Sequence, residues 1–211
     1  MKLIGVGGLS SGCGKTAVAC LLLKALPGWA AIKVTPCEAE RACPHGRDCT
    51  ACEPPEGEYE IVTDRTSLAA EGKDTARLLE AGAARVAWVR AIPENLPTAL
   101  AVALDEFADA PGVIVESTSA MCFLDGLHVL VARADESEVK ESARGCLDRV
   151  DLVAVNSSSP TAGTLRLPQG LPREVLVVPV YPVLPPEHPL NERFLSAVRA
   201  AVSRSGVGIA S

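Results

Sequence analysis

The chain has 211 residues, 48% of them hydrophobic and 22% charged, a balance that suits one folded domain and excludes general disorder. A net charge of −6, no run of Lys or Arg and aromatics at 3% argue against a nucleic-acid partner, because neither a cationic track nor a base-stacking surface is on hand. No apolar stretch approaches the roughly 18–20 residues that span a bilayer, so no membrane partner is expected.

Short apolar, β-rich runs alternate with helical patterns along the chain. In order, Lys2–Gly7 reads as a strand, Lys15–Leu26 as a helix, Ala30–Thr35 as a strand, Thr75–Ala81 as a helix and Arg85–Arg90 as a strand. Leu96–Phe107 follows as a helix, Gly112–Glu116 and His128–Ala132 as strands, and Glu138–Arg149 as a helix. Leu152–Asn156 and Glu174–Val180 then read as strands and Asn191–Ser203 as the last helix. Val113-Ile114-Val115 and Leu152-Val153-Ala154-Val155 are apolar on both faces, which a parallel sheet covered by helices requires. The expected fold is α/β: three layers, a mostly parallel sheet with helices on both faces, in a single domain over residues 1–211. Two stretches break the rhythm, a cysteine-rich insertion at 36–58 and a Pro/Gly-rich loop at 157–172.

The strongest motif is Gly8-Leu9-Ser10-Ser11-Gly12-Cys13-Gly14-Lys15-Thr16, which follows one predicted strand and opens a predicted helix. Glycines let the chain fold back so that backbone N–H groups point at phosphate oxygens, and the helix N-terminus adds partial positive charge. Lys15 would reach the β- and γ-phosphates and the Thr16 hydroxyl would ligate Mg²⁺. Gly8, Ser10, Ser11, Gly12, Cys13 and Gly14 would form the cradle. The spacing carries one residue more after Gly8 than the strict phosphate-loop pattern.

A phosphate loop needs a second carboxylate on the metal side, and Glu116 ends an apolar strand where ligands bind in such sheets. Asn156 ends another, so its amide either hydrogen-bonds a purine or forms a turn. The Asn-Lys-x-Asp pattern of guanine readers is absent, which leaves GTP and ATP both open.

Together, Gly8–Thr16, Ile32-Lys33-Val34-Thr35, Gly72-Lys73-Asp74-Thr75 leading into Arg77-Leu78-Leu79-Glu80-Ala81-Gly82-Ala83, and Val115-Glu116 resemble MobB, the molybdopterin-guanine dinucleotide biosynthesis protein B family of SIMIBI-class P-loop NTPases. The resemblance covers roughly the first two-thirds of the chain. It implies a P-loop NTPase fold and a nucleotide-binding, slowly hydrolysing factor in metal-cofactor maturation or delivery, including molybdenum-cofactor biosynthesis. A metalloenzyme client or a cofactor-synthesis protein is the implied partner, and a homodimer the implied assembly. It places Lys15 and Thr16 on phosphate and Mg²⁺, Glu116 on the metal side, and Lys33 and Asp74 around the γ-phosphate or the cofactor; Asp74 also reads as a helix cap. Ser117 stands where that family commonly has Gly. Dethiobiotin synthetase, an ATP-dependent ligase, resembles the chain locally at the long phosphate loop, the strand-two Lys and the Val-Glu pair. A nucleotide- and metal-binding redox sensor without turnover is a third reading.

The opening Met1–Gly8 makes a poor signal peptide, its apolar run being short and followed by Lys15, so a cytoplasmic location is expected. In a reducing compartment clustered thiols bind metal or do redox work. Of eight cysteines, four form Cys37-x₅-Cys43-x₅-Cys49-x₂-Cys52, with His45 between them. Four thiolates complete a [4Fe–4S] cluster or a Zn²⁺ site; the wide spacing leans toward iron–sulfur, and both stay open. The segment follows the second strand, where a phosphate-binding protein carries its switch. Cys122 is either near the Glu116 edge or a buried inert thiol.

Overall fold

The computed structural model describes residues 1–37, 55–135, 137–157, 168 and 171–204. Among them eight strands form one sheet: β1 Lys2–Gly8, β2 Ala30–Pro36, β3 Tyr59–Val62, β4 Val86–Ala91, β5 Gly112–Glu116, β6 Leu127–Arg133, β7 Leu152–Asn156 and β8 Val180–Val183. Their spatial order is β3-β4-β2-β5-β1-β6-β7-β8, and every neighbouring pair is parallel except β3–β4. The described helices are α1 Lys15–Ala25, α2 Arg65–Leu68, α3 Asp74–Glu80, α4 Leu96–Asp105, α5 Glu141–Arg144 and α6 Asn191–Arg204.

Alternation along the strands divides the core between two faces. Ile4, Val6, Ile114, Val129, Val131 and Ala154 pack with Val18 and Leu22 of α1, Leu78 of α3 and Phe194 and Val198 of α6. Their strand neighbours point the other way. Ile32, Val89, Val113 and Val115 meet Leu96, Ala99 and Leu100 of α4, while Leu130, Val153 and Val155 meet Cys146, Leu147 and Val150. The chain is thus α/β, with helices on both faces of a mostly parallel sheet. The central strands are apolar on both sides because both sides are covered.

Two expectations are corrected and one strand is added. The helix expected over Glu138–Arg149 is only the short α5 and a 3₁₀ turn at Leu147–Arg149. Lys140 is extended, at φ −67° and ψ 151°, and its N–H bonds the Leu9 carbonyl at 3.0 Å, so no helical turn runs through it. The strand expected over Glu174–Val180 begins where that span ends. Arg173–Val175 is a 3₁₀ turn, and β8 is the edge strand Val180-Tyr181-Pro182-Val183, an outer position that tolerates Pro182. β3 was not expected. It is a four-residue edge strand, antiparallel to β4 and tied to it by Arg90 and Glu60 at 2.5 Å. Most of the 157–172 loop lies outside the described residues, and no described helix is long and apolar enough to cross a membrane.

Candidate phosphate and cation site

β1 lies between β5 and β6, so the segment leaving its carboxyl end is flanked by the ends of both neighbours. That segment, Gly8–Gly14, turns back over the sheet edge and feeds α1 at Lys15. Leu9 anchors it. Its side chain is fully buried, its N–H bonds the Val131 carbonyl at 2.8 Å, and its carbonyl receives the Lys140 N–H. Thr118, just beyond β5, clamps the other flank: its hydroxyl accepts from the Gly8 N–H at 2.9 Å and lies 3.3 Å from the Gly8 carbonyl.

Two glycines are demanded by contact. A Cβ on Gly8 would lie 2.4 Å from the Cys13 sulfur and 3.0 Å from Cγ of Lys15, because both side chains fold back against it. Gly14 has φ 98°, and a Cβ there would lie 2.1 Å from Nδ2 of Asn156. Gly14→Ala therefore meets left-handed backbone strain and a steric clash together, and should destabilise the fold by more than about 1 kcal/mol. Thermal melts of the two chains measure the loss. Gly12 sits at the exposed crown with φ 68°, flanked by exposed Ser11 and buried Cys13.

The expected polar residues from four elements meet at this edge. Thr16 of α1 donates its hydroxyl to Oε1 of Glu116 at 2.9 Å. Lys33 of β2 places its ammonium 2.6 Å from the same oxygen and 2.7 Å from Oδ2 of Asp74, at the start of α3. Arg77, one turn further along α3, lies 3.5 Å from the other Asp74 oxygen, Oδ1. Burial opposes charge on Lys33, but Glu116 and Asp74 outweigh it and hold its pKa above the ordinary lysine value. Burial likewise opposes charge on Asp74, and Lys33 outweighs it, keeping the carboxyl below its ordinary range. Both shifts stabilise the folded chain at neutral pH. Asp74's share is lost as pH falls through its depressed value, and Lys33's as pH rises through its raised one.

Glu116 is 1% exposed, and its second oxygen, Oε2, is buried without a hydrogen-bond partner. Such an oxygen is costly to leave unpaired, and beside a hydroxyl and a second carboxylate it suits a hard cation with oxygen ligands. Asp74, the first residue of α3, has its carboxylate in the cluster; the capping position is Lys73.

Asn156 donates its amide to the Cys13 carbonyl at 3.1 Å, bracing the loop from β7. It also lines a mainly apolar cavity of about 220 Å³ with Ala17 and Leu21 of α1, Ser157, Val183 and Leu184–Pro186. That proline wall is held by Asn191 at the start of α6, whose side chain exchanges hydrogen bonds with the Leu184 backbone and donates to the Pro185 carbonyl at 3.1 Å.

Of the four-cysteine set only Cys37 is described; Cys43, Cys49, Cys52 and His45 lie outside the described residues. Cys37 directly follows β2, with its N–H on the Ala91 carbonyl at 2.8 Å and its thiol, raised by burial, 3.5 Å from the Thr35 carbonyl. Cys122 lies against Gly145 and Cys146, whose thiol burial pushes up to about 12 with a further rise from Cys122 itself. Cys146 is fully buried and Cys122 half-buried, and the described side-chain partners of Glu116 are Thr16 and Lys33 rather than either thiol.

Sequence reasoning missed Thr118 and Lys140. Thr118 had a signal, being two residues beyond the strand-ending carboxylate. Lys140 had none, since only the return of its segment under Leu9 brings it to the loop. Searches against protein-family models and curated proteins find no match to the chain.

Proposed function

We propose that this protein is a P-loop NTPase of the SIMIBI type, MobB-like, that binds GTP or ATP with Mg²⁺ and hydrolyses it slowly in metal-cofactor maturation or delivery. The observation that carries the reading is the meeting of a glycine-built loop, Lys15, the Thr16 hydroxyl and the orphaned Glu116 Oε2 at one sheet edge. The apolar cavity beside Asn156 supports a nucleotide rather than bare phosphate, since it offers a base an aliphatic slot next to the loop.

The chemistry is phosphoryl transfer to water, driven by positioning and electrostatics. Loop N–H groups and Lys15 hold the phosphates. Thr16 and Glu116 would hold Mg²⁺, which supplies charge neutralisation on the phosphate oxygens when bound. Lys33 bridges the Glu116 and Asp74 carboxylates and holds them together. Asn156 acts on the loop through the Cys13 carbonyl and on the base through the cavity wall. Asn156→Leu should loosen nucleotide binding while affecting inorganic phosphate less, measured as separate affinities for the two.

A soft-metal centre, [4Fe–4S] or Zn²⁺, fits a donor set of four thiols of which Cys37 is the first. Cys37 lies four residues beyond Lys33, about 13 Å of strand, which links that centre to the nucleotide edge.

The deciding experiment combines nucleotide binding and phosphate release, with and without Mg²⁺, on protein purified without oxygen and assayed for iron, sulfide and zinc. Mg²⁺-dependent binding with slow release supports the reading. Turnover only with a carboxylate or diamine substrate would favour the dethiobiotin-synthetase type, and tight binding with no hydrolysis would favour the sensor. Absence of nucleotide binding would sink all three.

A further inference from the structure

The phosphate loop is approached by a lysine that its motif does not contain. Lys140 follows β6, on the flank of β1 opposite Glu116, and its N–H bonds the carbonyl of Leu9, the residue that starts the loop. Neighbouring Val139 packs with Leu9, Leu130 and Cys146 beneath the loop, so the segment is held there by core contacts. The titratable groups close enough to act on Lys140 electrostatically include Lys15 and Cys13 of the loop, Cys146 after α5, and Lys33 of β2. Among the described residues no carboxylate makes an ion pair with Lys140 or Lys15, in contrast to Lys33, which has two.

Lys15 opens α1 at the loop, and half-buried Lys140 sits on the segment bonded to Leu9; with no carboxylate paired to either among the described residues, both lack the partner that a polyphosphate would be. We infer that Lys140 is a second phosphate ligand, gripping the di- or triphosphate from the β6 side while Lys15 holds it from the loop. The inference rests on the nucleotide reading and adds a phosphate contact to it.

The electrostatics agree. Burial, and after it the positive charge of Lys15, lower Lys140 to about 8. In the empty loop part of the Lys140 population is therefore neutral near pH 8, and a phosphate anion would restore its proton. Two consequences follow from linkage. Phosphate binding takes up protons near pH 8, and affinity is flat below that pH and falls above it. Without anions, charged Lys140 works against folding, so removing its charge should raise the melting temperature. A lysine that merely props the loop would give the opposite result.

The test is titration calorimetry on the full chain in buffers free of phosphate and sulfate. The probes are Mg²⁺ with GTP or ATP and, separately, inorganic tripolyphosphate, each from pH 7 to 9. In Lys140→Met binding should weaken by about tenfold or more, lose its pH dependence and come with a higher melting temperature in the absence of anions. Lys140→Arg should restore affinity with a flat pH profile; this variant also decides the matter should the methionine chain fail to fold. Unchanged affinity and pH slope in Lys140→Met, or unrestored affinity in Lys140→Arg, would overturn the role of Lys140 alone. Wild-type protein that binds tripolyphosphate but neither nucleotide would overturn the nucleotide reading, with Lys140 judged on tripolyphosphate. Wild-type protein that binds none of the probes would overturn both.

Discussion

On the proposed nucleotide-hydrolysing reading, Lys15→Ala should abolish hydrolysis and weaken nucleotide binding, while leaving any metal content of the cysteine segment unchanged. The side chain leaves the first residue of α1 and bends back across Gly8, where a Cβ would come within 3.0 Å of its Cγ. It is thus held over the loop before any ligand arrives. Loss of a preorganised charge on a phosphoryl group costs on the order of 10²–10³ in rate. No carboxylate among the described residues pairs with Lys15, so its removal leaves no buried anion behind. The melting temperature should hold while activity goes, which separates this variant from one that fails by unfolding. Single-turnover phosphate release, nucleotide titration and metal analysis on the same preparation provide the check.

Lys33→Met should do the reverse and fail first as a folded protein. Lys33 is the cation between Glu116, which is almost fully buried, and Asp74, and its ammonium lies within hydrogen-bond distance of both. Methionine fills a similar volume but leaves the buried Glu116 carboxylate without a counter-charge and Asp74 with only Arg77, at 3.5 Å. Breaking a buried pair in this way typically costs about 3–5 kcal/mol. The loss should be fully felt at neutral pH and should shrink as pH falls through the depressed value of Asp74, because its protonated carboxyl no longer needs the ammonium. Urea unfolding of both chains at neutral and acidic pH measures it, and an equal loss at both would contradict the electrostatic account. Saturating Mg²⁺ should return part of the stability if Glu116 Oε2 accepts the cation.

Much of the site was legible because its chemistry is written in consecutive residues. Gly8–Thr16 declares a loop that folds back on itself, and the structure requires glycine at Gly8 and Gly14 through contacts with Cys13, Lys15 and Asn156. Glu116 was found because an apolar strand ending in a carboxylate places it at the sheet edge whichever strands lie beside it. Apolar runs on both faces gave the parallel sheet in the same way. The short strand β3 escaped notice because four residues at an edge carry little periodicity, and the turn at Arg173–Val175 because an apolar run does not say where its own strand begins.

What the chain determined by itself was local: turn-forming glycines, strand-ending carboxylates, two-faced apolar runs and a cluster of thiols. Only the tertiary structure decided which of these meet. The order β2-β5-β1-β6 brings Lys33 and Glu116 to one flank of the loop and the Lys140 segment to the other, although they are separated by many tens of residues along the chain. It also turned Asn156 back onto the Cys13 carbonyl and left Glu116 Oε2 without a partner. Strand order and burial set these relations. Neither is encoded in the spacing of any one motif, because both arise from how the whole sheet satisfies its two covered faces at once.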